Sequence, residues 1–354
     1  MSLTQETFDF VADIVRRRSA IQLEAGKEYL VESRLLPLAR DAGHAGVDAY
    51  VRAVRAARRE TDLAEIVEAL TTNETSWFRD ATPFAALRTH IVPALRADRA
   101  VLDRVRVWSA ACSTGQEPYS IAMTLAEVLG PSTRTEITAT DLSDQVLAQA
   151  RAGRYSQLEV NRGLPAPMLV RYFRRNGADW QIADELRGAI TFQKHNLLDA
   201  TPVGPFDIVF LRNVLIYFDL DTKRSILSRV HRALRPGGFL VLGAAETTIG
   251  VDGDWERVPV QRGSVYRPVV HGLPSPRPAT PVPAVAASAP GRPLFGAGTP
   301  AAVTAAGASA AGPRPAPLLP SPGRPGGTPA TLPTTLPSAR PRPAGPAFDQ
   351  GVTR

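Results

Sequence analysis

Two acids in the middle of the chain sit where ligand chemistry would need them. Glu117 follows the small-residue run ACSTG (111–115), and Asp141 closes the segment ITATD (137–141). Small side chains let a ligand approach the backbone, and an acid in the first helical turn favours a cationic amino group. A helix N-terminus alone would attract phosphate, but Glu117 would repel it. The run also lacks GKS or GKT, which excludes a nucleoside-triphosphate loop. An acid at the end of a second strand is placed to accept hydrogen bonds from ribose hydroxyls. A ribose, an amino group and no phosphate requirement point to S-adenosylmethionine. In the competing reading, Asp141 merely caps the helix that begins near Ser143.

The elements that must carry these acids are legible as alternating patterns. A short apolar strand is predicted at 105–111, further strands at 136–140, 189–193 and 206–211, and helices at 116–129, 143–152 and 221–234. Pro236-Gly237-Gly238 turns the chain into a further strand at 239–243, and 255–267 reads as a terminal hairpin. Strands alternating with helices imply an α/β, Rossmann-like domain with a parallel sheet covered on both faces. It is assigned to 86–268. Ahead of it, residues 1–85 read as a small all-α domain. Phe8, Val11, Ile14 and Val15 share one helical face, and further helices fall at 28–42, 47–58 and 61–70. Pro37 argues against an unbroken second helix.

Composition limits the remaining options. Apolar residues make up 44% and charged residues 21%, ordinary values for a globular protein. Residues 269–354 hold 20 of the 32 prolines, so that segment is expected to be a disordered tail. Its seven arginines against one acid account for six of the seven net positive charges. The basic balance therefore belongs to the tail, and no nucleic-acid partner is expected. The single cysteine, Cys112, rules out an internal disulfide and a multi-cysteine metal site, and no metal is expected. No apolar run is long enough to span a bilayer, and the first residues do not form a secretory signal. These features predict a cytoplasmic protein without membrane insertion.

Six segments make the reading specific: TTNETSWFRD (71–80), ACSTGQEPYSIAM (111–123), ATDLS (139–143), HNLL (195–198), FDIVFLRNVLIYF (206–218) and LRPGGFLVLGAAE (234–246). In this order they resemble the chemoreceptor glutamate methyltransferase family, CheR, over about residues 5–268. The resemblance implies S-adenosylmethionine as donor, S-adenosylhomocysteine as product and glutamate methyl esters on chemoreceptors as the outcome. It implies a first segment that crosses into the cofactor cleft, bringing Asn73, Thr75 and Arg79 to the cofactor. Glu117, Asp141, Arg212 and Asn213 are implied as cofactor contacts, with Asn196 and Leu197 at the adenine. Arg79 and Tyr217 are the candidates for handling the acceptor carboxylate, and packing is an equal reading for Tyr217. Trp77 departs from the usual Phe, and Gln116 stands where an acid is common.

Other expectations concern partners. The implied partners are the cytoplasmic helical domains of receptors, met by a monomer. Arg52, Arg55 and Arg59 are placed on one face of the third helix and Arg16, Arg17 and Arg18 form a second cluster, which together suit acid-rich receptor helices. The stretch 172–192 is expected to form a small antiparallel β subdomain, with a turn at Asn176-Gly177. Some family members grip a receptor C-terminal peptide with such a subdomain; the compact NGAD turn predicts that this one does not. Cys112 reads as buried filler, and His195 as a packing or hydrogen-bonding group. The alternatives are a methyltransferase acting on another protein or a small carboxylic acid, and a non-catalytic scaffold of the same fold.

Overall fold

The computed structural model describes residues 3–130 and 132–269. The expected tail, apart from Val269, lies outside them.

Four helices come first: α1 (Gln5–Ser19), α2 (Glu28–Asp41), α3 (Val47–Ala57) and α4 (Glu60–Leu70). Phe8, Val11, Ile14 and Val15 of α1 are all buried, packed with Val31, Leu35, Val51, Ile66 and Leu70. The Asp48 carboxylate of α3 accepts from Thr4 N at 3.2 Å, Thr4 Oγ at 2.6 Å and Thr7 Oγ at 2.5 Å, which pins the start of α1. Pro37 lies inside α2 without breaking it. Proline removes one hydrogen bond, and burial of Leu35 and Ala39 on either side keeps the helix together.

The arginine face predicted on the third helix does not form as expected. The helix ends at Ala57, with Arg58 in the left-handed region at φ 50°, so Arg59 becomes the N-cap of α4. Arg59 pairs with Asp62 at 2.9 Å and Arg55 with Glu6 at 2.7 Å, so these charges are partly answered locally. Arg17 and Arg18 likewise pair with Asp13 and Glu60.

A helical strap follows, α5 (Thr82–Ala86), a π-helical turn (Leu87–Ile91) and α6 (Val92–Ala97). Then come β1 (Arg104–Ala110), α7 (Gln116–Val128), β2 (Arg134–Asp141) and α8 (Asp144–Ala152). The chain continues through β3 (Arg154–Tyr155), α9 (Gln157–Asn161), α10 (Ala166–Tyr172), β4 (Phe173–Asn176), β5 (Asp179–Ile182) and α11 (Asp184–Gly188). It closes with β6 (Ile190–Lys194), β7 (Phe206–Leu211), a 3-10 turn (Leu215–Tyr217), α12 (Leu220–Ala233), β8 (Leu234–Leu242), β9 (Trp255–Val260) and β10 (Gly263–Pro268). The main sheet runs β6-β2-β1-β7-β8-β10-β9. Its first five strands are parallel, and the terminal hairpin adds antiparallel at β8, so the sheet is mixed rather than wholly parallel.

Alternation along the strands separates two cores. Val105, Val107, Ile208, Phe210, Phe239 and Val241 face α7 and the strap; Trp108, Ala110, Val209, Leu211, Leu240 and Leu242 face α12. Pairing of β7 with β8 shifts register between Phe206 and Ile208. The expected Pro-Gly-Gly turn is thus absorbed as an irregularity within β8, with Gly237 at φ 77°.

The small sheet has the order β3-β5-β4. It differs from the expected 172–192 stretch in taking a strand from Arg154–Tyr155, while 190–192 joins the main sheet. Asn176 and Asp179 pair across a two-residue turn in which Gly177 has φ 62°.

Candidate active site

The carboxyl ends of β1, β2, β6 and β7 and the linker after α4 enclose a cleft of about 940 Å³, mouth included. Asn73, Thr75, Arg79, Glu117, Asp141, Asn196, Leu197, Arg212, Asn213 and Tyr217 all line it. Positions up to 144 residues apart in the chain therefore share one space, because parallel strands deliver their following loops to the same sheet edge.

Asp141 does not act as the cap of α8. That role belongs to Ser143, whose hydroxyl accepts from Val146 N. Asp141 instead accepts Ser113 N–H at 2.8 Å on one oxygen and Ser143 N–H at 3.1 Å on the other. It is 7% exposed. Burial pushes its pKa above the ordinary aspartate value, with the backbone donors pulling the other way.

Glu117 is held from both sides: Ser109 Oγ donates to Oε1 at 2.8 Å, and Arg212 Nη1 to Oε2 at 2.9 Å. Burial raises its pKa and the Arg212 charge opposes the rise. The Arg212 guanidinium also donates to Arg79 O and to Asp80 Oδ2, each at 2.8 Å. Its side chain is 1% exposed. Arg212, expected as a cofactor contact, lines the cleft; its two Nη groups orient Glu117 and fasten the linker, while its buried Nε has no protein partner among the described residues.

The linker crosses the cleft under several restraints. Ser113 Oγ donates to Asn73 O at 2.7 Å, and Ser120 Oγ accepts from Phe78 N at 3.1 Å. Trp77, the unusual aromatic, is buried edge-on against Tyr155 and Phe173. At Gly163 (φ 98°) a Cβ would meet Trp77 O at 2.3 Å, so only glycine admits the linker there. Arg79 Nη1 donates to Glu74 O at 3.0 Å. Non-glycine residues with φ in the left-handed region gather here: Phe78, Asp80, Ala81, Ala111, Ser113 and Asn213. Such conformations cost about 1–3 kcal/mol each and persist where surroundings enforce them.

Asn196, expected at the adenine, lines the cleft, but its amide nitrogen donates to Arg18 O at 2.6 Å and its oxygen accepts from Leu198 N at 3.1 Å. Its side chain joins α1 to the sheet edge. Leu197 and Tyr217 are half-buried against the α12 core. His195 Nε2 lies 2.9 Å from Ala200 O and its ring packs edge-on against Trp108, as expected of a packing residue. Cys112 is buried, and burial pushes its thiol pKa well up, which makes it a poor nucleophile.

Residues 73–263 match the CheR methyltransferase, SAM binding domain, and residues 6–71 match the CheR methyltransferase, all-alpha domain. The chain belongs to the CheR methyltransferase family. It is 40% identical over 276 residues to chemotaxis protein methyltransferase 1 of Pseudomonas aeruginosa, a match covering 75% of this chain and 99% of that protein. Over 274 residues it is 39% identical to chemotaxis protein methyltransferase Cher2 of Pseudomonas putida, with the same coverage of both chains. The chemotaxis protein methyltransferase of Escherichia coli is 36% identical over 253 residues, 70% of this chain and 86% of that protein.

The cleft of this CheR chain suits S-adenosylmethionine. A carboxylate has about four acceptor positions, so Asp141 and Glu117, each anchored by two protein donors, retain acceptors for ribose hydroxyls and an amino cation. Ala111 and Ser113 leave the neighbouring backbone accessible from the cleft. No helix among the described residues is long and apolar enough to cross a membrane. Sequence reasoning missed Ser109, Ser113 and Asp80, which hold the named residues in place. Glu246, the last residue of the 234–246 segment, carries no role in the family motif as read from sequence. A looser form of the signal that singled out Asp141, which ends β2, could have found Glu246, an acid four residues beyond β8.

Proposed function

We propose that this CheR-family methyltransferase methylates glutamate side chains on the cytoplasmic helical domains of chemoreceptors, in the cytoplasm and as a monomer. The observation that carries this reading is the convergence on one cleft of every residue that the family motif implies for cofactor and acceptor. Asp141 would hold the ribose and Glu117 the amino group, with Asn73, Thr75, Asn196, Leu197 and Asn213 completing the wall. Arg212 serves the cofactor through Glu117.

The bound cofactor supplies an electrophilic methyl group on a sulfonium. An acceptor glutamate with a pKa of about 4.3 is ionised at neutral pH, so no general base is needed. The protein's task is alignment and exclusion of water, and proximity alone contributes about 7–11 kcal/mol in well-oriented cases. Arg79 orients the incoming carboxylate, and Tyr217 borders its path. The strained linker, tied at Asn73 and Phe78, keeps Arg79 at the cleft rather than in solvent.

Mass spectrometry of receptor peptides, after incubation with this protein and S-adenosylmethionine, tests the proposal. Base-labile methylation of glutamates in the cytoplasmic helices is expected. Methyl groups only on other residue types, or none above the cofactor-free control, would reject it.

A further inference from the structure

Glu246 stands in the turn after β8, and its carboxylate collects four backbone N–H groups. Oε2 accepts from Asn213 N at 2.7 Å and Gly243 N at 2.8 Å; Oε1 accepts from Val214 N at 2.9 Å and Leu215 N at 2.8 Å. Three donors belong to the loop after β7, where the chain has left the sheet and its amides have no strand partner. The fourth belongs to the loop after β8. One side chain thus ties together the two turns at this part of the sheet edge.

The fit is close. A Cβ at Gly243 would lie 2.7 Å from Glu246 Oε2 and 2.9 Å from Asn213 N, so glycine is what lets the turns meet. Asn213 is held at φ 57°, a conformation a non-glycine residue keeps only under restraint. Val214 and Leu215 lead into the 3-10 turn that ends on Tyr217. Asn213 and Tyr217 both line the cleft, and neither side chain makes a hydrogen bond among the described residues that would place it there. Their placement comes from the backbone: Glu246 holds residues 213–215 directly, and Tyr217 follows through its N–H on Val214 O at 3.2 Å, with Gln22 N–H on the Tyr217 carbonyl at 3.2 Å as a second restraint.

We propose that Glu246 is a positioning residue for methyl transfer, setting Asn213 and Tyr217 on the cleft wall. The proposal rests on the reading of the cleft as the methyl-transfer site. What matters is four acceptor positions facing four donors. Glutamine keeps the size but turns one oxygen into a donor, which then faces two N–H groups whichever way the amide lies.

The test uses the full chain with Glu246→Gln. Amide hydrogen exchange at 213–215 and 243 is expected to quicken about tenfold or more, with β1 and β7 unchanged, the equivalent of one lost hydrogen bond to a charged group. Turnover of a receptor cytoplasmic fragment at saturation should fall about tenfold or more, while KM for the fragment stays within about twofold. Affinity for S-adenosylhomocysteine should drop. Should the amide variant fail to fold, Glu246→Asp, one methylene too short to reach all four donors, is read by the same measures. Unchanged exchange at 213–215 would overturn the proposal, as would faster exchange with unchanged turnover, or a turnover loss that merely tracks the global melting point. Wild-type protein that methylates no receptor would remove the functional reading instead; exchange and S-adenosylhomocysteine affinity then decide the positioning role, and no change in either overturns it.

Discussion

Arg212 and Glu117 form a buried ion pair at 2.9 Å, joining the end of β7 to the first turn of α7. The same guanidinium reaches Asp80 and the Arg79 carbonyl, so one side chain couples the Glu117 carboxylate to the linker.

Removing one partner of such a pair leaves an uncompensated buried charge. Arg212→Ala is expected to cost about 3–5 kcal/mol of unfolding free energy, measured by urea titration. The double variant Arg212→Met with Glu117→Gln should lose much less than the sum of the single changes. Additive losses would mean the pair is not coupled.

Asp141 is expected to set both affinity and its pH dependence. Asp141→Asn should weaken S-adenosylhomocysteine binding by about 1.5–3 kcal/mol in calorimetry. Because Asp141 also accepts two backbone N–H groups, its variants should melt lower as well. Burial raises its pKa, so folding favours the protonated form. Its contribution to ligand-free stability is therefore fully present below the unfolded value, about 3.9, and is lost as pH rises through the raised folded value. Affinity should move the opposite way, falling as the carboxylate protonates. The difference between wild type and Asp141→Asn isolates both trends, and parallel movement of the two would contradict the assignment.

Charge on the helical domain is expected to steer the receptor. The combined change of Arg52, Arg55 and Arg59 to Ala should raise KM for a receptor fragment most at low salt, with S-adenosylhomocysteine affinity unchanged. Arg55 and Arg59 already face Glu6 and Asp62, and Arg52 lies near Asp48, so the effect is expected to be shared among the three. Identical salt profiles for variant and wild type would dismiss this surface.

No receptor-tail peptide is expected to bind the small sheet. The turn between β4 and β5 has only two residues, so no longer loop stands beside the open edge of β4 to hold an added strand. A pentapeptide from a receptor C-terminus should show no saturable binding at micromolar concentration in a fluorescence titration. Saturation there, or slower methylation of a receptor lacking its last residues, would reverse the assignment.

Local chemistry determined much of this protein from sequence alone. Alternating strand and helix patterns located β1, β2, β7 and α7 to within a residue or two; the signal was strongest at β7, where burial on both sheet faces gives a nearly continuous apolar run. The acids Glu117 and Asp141 were legible because a strand's end followed by a helix start is a local pattern. Tertiary structure decided which side chains are free to act. Arg212 and Asn196 carry the right chemistry, yet their hydrogen bonds go to Glu117, Asp80 and Arg18, partners distant in sequence. Pro37 looked like a break, yet packing carried α2 through it, while a left-handed Arg58 ended α3 before Arg59. Glu246 was visible only as an acid after a strand. Its four donors come from two loops about 30 residues apart, and no spacing rule relates them, because register across the sheet, not separation along the chain, brings those loops together.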